Sequence, residues 1–551
     1  MVSVVVCRMR ISVLLLASLV TLGYGAVLGC GTVEVPAADG GATFDAAHDA
    51  STSDPAFTLA IANGNVAVPL GGSNRLLVQV SRTGGFTGPI TIAGMSPPSG
   101  VTVSPATVGA DSTEGEILLA GAALTIGSTL SLTLEGTGEG VESQTVTLND
   151  IPVTGQPGTL DTTFGPAGIA TVSLGSDDNG GFRALDVVNG KVVGVGYAVA
   201  GLGAVTMLAM RFTETGVPDL TWNGGNVVRT SFGGSSGDTA PGNAVGRQND
   251  GRAIAIGEHT TGGDDIAVTR YSESGGSGGV DFGDGTGKSL VNLGGSERVR
   301  DGLVLASNQI VTVGQKDGHF MVSRLTSSGL LDTSFGASGF VRTILGENSQ
   351  AEAVALDTQN RILVVGSFAT TAGQRDLVIR RYAEAGALDG AFGSSGVTIT
   401  GPDSESGIAV AAQGDTIYVF SEAVTDSGKK LRVRRLLATG QPDESFGVLG
   451  LAETSVTGTT VSRDMAVLPD GRIVLLADVS GTGLLTRFTA AGELDTLFGT
   501  AGDGTQSLTI GNSGEPLSLA VYSPFRIVVG GGNQGGTPGP GTFALVARMW
   551  M

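Results

Sequence analysis

The sequence predicts an all-β protein built mostly from one repeated unit, and three observations support this. The hexapeptide L-D-T-S-F-G at Leu331–Gly336 recurs with variations along the C-terminal two thirds of the chain. Its aromatic residue returns at intervals of 58, 60, 53, 57, 54 and 52 residues. β-Branched runs bounded by turn residues fill each interval, without a helical period. A period in this range is typical of a repeat architecture.

The aromatic residues of the hexapeptide anchor the units, because each ring supplies a large apolar group to the core. The seven anchors are Phe164, Trp222, Phe282, Phe335, Phe392, Phe446 and Phe498. An aspartate such as Asp332 is expected to close a turn by accepting the backbone N–H two residues later. Each interval has room for about four strands, which is typical of propeller blades. We therefore predict a seven-bladed β-propeller over residues 156–551.

An arginine ends the last strand of each unit. These residues are Arg211, Arg270, Arg324, Arg381, Arg435, Arg487 and Arg548. In five units an aspartate follows the arginine by eight residues, as Asp389 follows Arg381. The hypothesis is an ion pair across the turn, and the alternative is a solvated arginine at a strand end. The strand at 169–174 is expected to complete the last sheet and close the ring, which removes exposed edges.

The anchors, the D-G-R-I-V turn at Asp470–Val474 and the R-F or R-Y strand ends resemble the delta-60 repeat family. Those repeats form propellers, chiefly in bacterial envelope and secreted proteins. The resemblance covers about residues 156–551, and the second and third units depart from it at the anchor. It implies no established activity and no catalytic residues.

Composition and charge exclude some classes of partner. Gly accounts for 91 of 551 residues, which suits many tight turns, and the formal net charge is −20. This charge opposes nucleic-acid binding, which needs a basic footprint, and adhesion to anionic lipid headgroups.

Residues 1–29 have the layout of a signal peptide, with Arg8 and Arg10 before an apolar stretch. The stretch ends V-L-G-C, which resembles a bacterial lipobox and implies lipidation of Cys30. An ordinary secretory signal or an uncleaved anchor is the alternative. Gly31 follows Cys30 in place of the aspartate that retains many lipoproteins at the inner membrane. The expected location is therefore the outer membrane.

Two further segments precede the repeats. Residues 30–54 are small, acidic and aperiodic, and predict a flexible tether. Residues 55–155 carry seven short apolar or alternating runs separated by turn signals, which predict a β-sandwich. Its segment P-S-G-V-T-V-S-P-A resembles bacterial immunoglobulin-like modules, which usually act as spacers.

Candidate metal-binding residues are few. His48 lies in the tether, whereas His259 and His319 fall in equivalent loops near Glu258 and Asp317. They could hold a divalent metal, but solvated loop residues are the preferred interpretation. Runs rich in Asp and Gly at 176–181, 281–287 and 502–505 lack the ligand pattern of an EF-hand and are interpreted as turns. The run Lys429–Arg435 is interpreted as an exposed strand face.

No nucleophile elbow, catalytic triad, phosphate-binding loop or nicotinamide fingerprint is supported by its context. Two sets of variable loops are expected on one face of the propeller, and this is the predicted binding face. One set comprises residues 175–180, 233–243, 294–301 and 401–407, and the other comprises residues 258–265, 315–319, 368–376 and 423–430.

The expected function is that of a non-enzymatic cell-envelope lipoprotein, anchored through Cys30, whose propeller binds a protein or a glycan. No cofactor and no nucleic-acid partner are expected. The alternative is a propeller hydrolase or lyase that uses acidic loop residues, with or without a metal. The fold alone does not decide between them.

Overall fold

Strands account for nearly all regular secondary structure in the computed structural model. It describes residues 54–551, except residues 65, 176–178, 200–202, 234–238, 261–262, 277, 371–372, 395, 400, 510–513 and 534–541. Two short 3₁₀ turns, Pro166–Gly168 and Asn223–Gly225, interrupt the strands. Within this part of the chain, no helix has the length and apolar character needed to cross a membrane.

The first nine strands form two sheets around one hydrophobic core. They are β1 (Ala56–Ile61), β2 (Val68–Pro69), β3 (Ser73–Thr83), β4 (Ile90–Met95), β5 (Val101–Ser104), β6 (Ala106–Val108), β7 (Glu114–Gly121), β8 (Thr129–Gly138) and β9 (Gln144–Thr154). The sheet orders are β1-β3-β7-β5 and β2-β9-β8-β4-β6. Alternate residues of β3 (Leu76, Val78 and Val80) are buried in the shared core. All seven apolar runs expected from the sequence fall within these strands.

The repeated region contains twenty-eight further strands among the described residues. In chain order, β10–β37 are Ile169–Gly175, Asn179–Val188, Lys191–Val199, Val205–Phe212, Val228–Thr230, Gly242–Arg247, Ala253–His259, Asp265–Tyr271, Lys288–Val291, Glu297–Val304, Ile310–Lys316, His319–Leu325, Phe340–Thr343, Glu347–Leu356, Ile362–Ala369, Arg375–Tyr382, Val397–Ile399, Ser404–Gln413, Thr416–Thr425, Gly428–Leu436, Leu451–Val456, Thr460–Val467, Ile473–Val479, Thr482–Phe488, Thr505–Leu508, Gly514–Ser523, Arg526–Asn533 and Thr542–Trp550. The β-branched and apolar runs seen in the sequence lie in the buried second and third strands of each group of four.

These strands pair antiparallel in consecutive groups of four, beginning with β11–β14 and continuing to β31–β34. Two backbone pairs between β11 and β36 join the first group to the sheet formed by β35, β36, β37 and β10. The first strands of the groups (β11, β15, β19, β23, β27, β31 and β35) contact one another in a closed cycle. The arrangement is propeller-like, with the first strands nearest its axis.

The two ends of the repeated region meet in one sheet. Strand β10 pairs antiparallel with β37, with Ile169 opposite Ala547 and Ser173 opposite Phe543. The expectation that the first strand completes the last sheet is therefore confirmed. Both edges of β37 are therefore paired, one with β10 and the other with β36.

The predicted Arg–Asp pairs form in all five units with the eight-residue spacing. In each, the arginine Nε donates to the aspartate Oδ2 at 2.8 Å, in the pairs Arg211–Asp219, Arg324–Asp332, Arg381–Asp389, Arg435–Asp443 and Arg487–Asp495. Arg548 donates to Asp161 at the same distance across the closure. The Oδ1 of Asp332 accepts the Ser334 backbone N–H at 3.1 Å, which is the expected turn. The ion pairs are therefore confirmed, and the solvated alternative is wrong.

Each of the seven strand-ending arginines also covers the aromatic anchor of its own four-strand group. The guanidinium carbon lies 4.4–5.0 Å from the ring centroid in all seven units. The anchor is then tied to the following unit, since the Gly336 N–H donates to the Ala385 carbonyl at 2.9 Å. Gly386 has φ 86°, and a Cβ there would lie 3.0 Å from the Phe335 ring. We call the arginine, aspartate and aromatic ring of one unit the Arg–Asp clamp.

The clamp formed by Arg270 and Phe282 differs in its acidic partner. Arg270 pairs with Asp281, eleven residues later, and its Nε donates to the Gly278 carbonyl at 2.8 Å. Phe282 still lies under the guanidinium at 4.8 Å. The longer connection replaces one carboxylate contact with a carbonyl contact and retains the stacking.

Replacing Arg381 with Lys is expected to lower the free energy of unfolding by about 2 kcal/mol. Lysine keeps the charge but cannot place both Nε and Nη2 2.8 Å from Asp389 while stacking on Phe392. Urea titration followed by tryptophan fluorescence measures the change. Arg342→Lys is the control, because that side chain is 36% exposed and its ion pair is 3.7 Å long. Equal stability of the two variants would refute a structural role for the clamp.

Candidate functional site

The first strand of each four-strand group carries a β-bulge, which adds one residue to the strand without adding one to its partner. The extra residue is identified by the register shift between the first and second strands. The seven bulge residues are Arg183, Asn243, Arg300, Glu352, Ile408, Arg463 and Leu517. Since the first strands surround the axis, their bulges bring side chains from every group to one place.

The bulge residues line one cavity of about 420 Å³, together with Ser462 and Glu515. We call this space the axial cavity. Its volume lies within the usual range for small-molecule pockets, about 300–1,000 Å³. Three of its lining residues are arginines, in a chain whose formal net charge is −20.

Arg183 is held in place from two sides. Its Nη1 donates to Asn243 Oδ1 at 2.9 Å, and its guanidinium lies 4.4 Å from the Tyr197 ring centroid. The Asn243 amide in turn donates to the Val299 carbonyl at 2.7 Å. Burial lowers the pKa of Arg183, and the positive charges of Arg300 and Arg463 act in the same direction. Arg300 and Arg463 are therefore each close enough for their charges to repel that of Arg183.

Arg300 has a different environment, because it makes no hydrogen bond or ion pair with any residue that the structure describes. Its charge still acts on two carboxylates. Burial raises the pKa of Glu352 and of Glu258, and Arg300 opposes the rise in both. Glu258 lies behind the cavity lining and accepts the Val299 N–H at 3.1 Å. Arg300 is thus a charged side chain with unused donors at the cavity surface.

The rest of the cavity wall is partly neutralised and partly apolar. Arg463 donates to Glu515 at 3.1 Å. Glu352 accepts from Gln350 at 2.8 Å through one carboxylate oxygen. Ile408 and Leu517 supply apolar surface. The arrangement offers unpaired positive charge on one part of the wall, with acceptors and apolar groups elsewhere.

Two half-buried aspartates support the first strands next to the bulges. Asp464 accepts the Met465 and Leu519 N–H groups at 2.7 Å each, and so joins β31 to β35. Asp301 joins β19 to β23 in the same way, through the Val354 N–H at 2.8 Å. Burial raises the pKa of Asp464 to about 7 and that of Asp301 to about 6.

The two predicted loop sets lie side by side. Backbone hydrogen bonds join Thr260 to Thr239 at 3.0 Å and Glu297 to Asp264 at 2.7 Å. The bulges are within a few residues of the same strand ends, so the axial cavity lies near these loops. Several loop residues fall outside the described part of the chain, as do Cys30 and His48.

The remaining predicted site residues do not converge on one ion. His259 ends β16 and is 6% exposed, so the interpretation as a solvated loop residue is wrong for it; His319 begins β21 and is half-buried. No group of three or more His, Cys, Asp or Glu side chains among the described residues could hold a metal. Asp284 and Asp503 accept N–H groups two residues later, which is the turn expected for those runs.

The run Lys429–Arg435 is not an exposed strand face, so that prediction was wrong. Arg432 is 8% exposed and contacts Glu405, Asp403 and Glu453 at 2.8–3.1 Å. Arg434 also pairs with Glu405. Glu405 on β27 and Glu453 on β30 belong to the same four-strand group as Arg432, and Asp403 immediately precedes β27. These carboxylates pair with charges that the alternating pattern predicts to be exposed.

The bulge residues were not predicted, although the chain carries a signal for them. Four of them precede the positive-φ residue of the following hairpin turn by eight positions, in the pairs Asn243–Gly251, Arg300–Asn308, Glu352–Asn360 and Arg463–Gly471. Aligning the repeats on the positive-φ residue of the hairpin turn, and comparing the residues eight positions before it, identifies the bulge position. A single strand does not reveal it, because a bulge is invisible in the apolar alternation of one segment.

Comparison with known proteins supports a propeller domain. Residues 360–392, from β24 to the anchor Phe392, match the family described as "Domain of unknown function (DUF5122) beta-propeller". A similar solved structure is prolyl oligopeptidase B from Galerina marginata bound to a 35mer hydrolysis and macrocyclization substrate, an S577A mutant. Identity is 12%, the TM-score is 0.39, and the match covers 68% of this chain and 49% of that one. This chain therefore spans about half of that structure. No curated protein matches the sequence.

Proposed function

We propose that this chain is a non-enzymatic binding module of the bacterial cell envelope. In this proposal its repeats form a seven-bladed β-propeller, its first domain is an immunoglobulin-like spacer, and its ligand sits in the axial cavity. The closed cycle of first strands supports the blade number. The two-sheet core of β1–β9 supports the spacer.

One observation carries the binding function. The clamp positions hold the same kinds of side chain from unit to unit, whereas the seven bulge positions hold Arg, Asn, Arg, Glu, Ile, Arg and Leu. If the bulge positions had only a structural role, the same type of side chain would be expected in each unit, as is seen at the clamp positions. Side chains that differ around one cavity instead make an asymmetric site, which is what recognition of a ligand requires.

The attachment of the first domain agrees with this use of the cavity. Nη1 of Arg75, on β3, lies 3.3 Å from Oδ1 of Asp495. The backbone N–H of Gly158 donates to the Trp550 carbonyl at 2.8 Å. Both contacts are at the ends of third strands, opposite the ends that carry the two loop sets. The first domain therefore leaves the loop side of the propeller open.

The binding function is tested by purifying the full chain from its native envelope and identifying co-purified molecules by mass spectrometry. Ile408→Trp narrows the axial cavity, and Ile344→Trp makes the same change at a residue that is 70% exposed. We expect a ligand with the unchanged chain and with Ile344→Trp, and its loss with Ile408→Trp. A ligand retained in both variants, or steady turnover of the ligand by the chain, would overturn the proposal.

Envelope anchoring needs its own test. We expect Cys30 to incorporate an alkyne-labelled fatty acid in the producing cell, and Cys30→Ala to abolish both the label and membrane recovery. Cys7→Ala is the control, because Cys7 and Cys30 are the only cysteines of the sequence. Undiminished membrane recovery of Cys30→Ala would contradict a lipid anchor at this residue.

A further inference from the structure

The axial cavity concentrates positive charge in an acidic protein, and its charges are not all used by the protein itself. We infer that it recognises the carboxylate of a sugar acid, a singly charged anion carried on a hydroxyl-rich ring. This inference rests on the proposed binding function and adds the chemical class of the ligand. Three features of the axial cavity support this ligand class. They are the positions of Arg183 and Arg300, the net charge of the lining residues, and the chemistry of the other residues in the cavity wall.

Arg183 and Arg300 provide the anion-binding part of the site. Arg183 is oriented in advance by Asn243 and Tyr197, so little conformational freedom is lost when it binds. Arg300 has unused donors at the surface of the same cavity. Planar guanidinium groups match the two oxygens of a carboxylate and form strong, charge-assisted hydrogen bonds with it. An anion between them would also relieve the repulsion between the arginines.

The charge balance favours a single negative charge on the ligand. The lining residues carry three arginines and two glutamates, so three positive charges minus two negative charges leave one positive charge. Arg463 is paired with Glu515, which leaves Arg183 and Arg300 facing Glu352. A phosphate dianion would bring excess negative charge close to Glu352 and to Glu258 behind it. A carboxylate carries one negative charge, which equals in magnitude the net positive charge of the lining residues.

The rest of the wall favours a hydroxyl-rich ring. Glu352 and Glu515 each use one carboxylate oxygen in the contacts described above, and the second oxygen is available to accept a ligand hydroxyl. Ile408 and Leu517 can contact the C–H face of a ring. A volume of about 420 Å³ suits one or two sugar rings better than a protein loop.

Calorimetric titration of the full chain tests this inference. The probes are galacturonate, a short oligogalacturonide, galactose and inorganic phosphate. We expect galacturonate to bind at least about tenfold more tightly than galactose, because only the acid pairs with the arginines. Arg300→Gln should remove that advantage, while Arg342→Gln, on the outermost strand β22, should bind like the unchanged chain.

The outcomes distinguish a free sugar acid from an acidic glycan as the source of the ligand. They also distinguish failure of the inferred ligand class from failure of the proposed binding function. Equal binding of monomer and oligomer supports a free sugar acid or a chain end, and binding of the oligomer alone supports an acidic glycan. Phosphate binding as strong as that of galacturonate, or equal losses in Arg300→Gln and Arg342→Gln, would overturn the inference. If no uronate binds but Ile408→Trp still removes a co-purified ligand, only this inference fails. If neither is seen, the proposed binding function fails as well.

Discussion

Replacing Asp161 with Asn is expected to lower the free energy of unfolding by about 3–5 kcal/mol. Asp161 is fully buried, and its Oδ2 lies 2.8 Å from Arg548 Nε and 2.8 Å from Arg526 Nε. Asparagine keeps the shape but removes the charge. Both arginines then lose the one carboxylate that each contacts among the described residues. Since Asp161 and Arg548 come from opposite ends of the repeats, the loss weakens ring closure itself.

Tryptophan fluorescence during urea unfolding measures this effect directly. The chain has two tryptophans, and the ring of Trp550 lies 4.1 Å below the Arg526 guanidinium at the closure. Asp503→Asn is the control, because Asp503 is exposed and only closes a turn by accepting the Thr505 N–H at 2.9 Å. The control substitution should lower the free energy of unfolding by about 1 kcal/mol or less. A similar small cost for Asp161→Asn would show that closure does not depend on this carboxylate.

Stability is also expected to fall as the pH rises from 4.5 to 8, by about 3 kcal/mol from Asp464 alone. Burial raises the pKa of Asp464 from 3.8 to about 7, and the negative charge of Asp301 adds to the rise. Between these two pKa values the folded chain binds more protons than the unfolded chain. The stabilisation from the protonated carboxyl is therefore complete below about pH 4 and is lost as the pH passes 7.

The Arg–Asp clamps act in the opposite direction at lower pH. The Ser445 hydroxyl, working against burial, and the Arg435 charge together lower the pKa of Asp443, so this clamp weakens only in acid. Maximum stability is expected near pH 5. Urea titrations across this range check the profile, and Asp464→Asn should flatten its alkaline side. If Asp464→Asn and the unchanged chain lose stability in parallel between pH 5 and 8, another group is responsible.

The clamps could be predicted from the sequence because both partners lie close together in the chain. Arg381 and Asp389 flank one turn, and their fixed spacing recurs in other units, so local geometry decides the contact. Arg270 shows the limit of this reasoning. Its connection is longer, and the carboxylate that it reaches is eleven residues away. The sequence shows the aspartate there but does not show which oxygen the arginine will contact.

The axial cavity could not be predicted in the same way. Arg183, Arg300 and Arg463 are more than a hundred residues apart, and a bulge, rather than the alternation of apolar residues, turns them towards the axis. Glu405 of β27 and Arg432 of β29 likewise pair across the intervening strand β28, so Arg432 is buried in a run that the sequence predicts to be exposed. In both cases pairing between strands decides the environment of the charge.

The bulge has a consequence for how such a protein can change over generations. Every unit joins its neighbour through similar anchor contacts, yet each contributes its own side chain to the axis. Exchanging one unit for the corresponding unit of a related gene would change one side chain of the axial cavity while keeping the anchor contacts between units. A new ligand preference can then arise by recombination of existing units, with the number of units in the closed cycle unchanged.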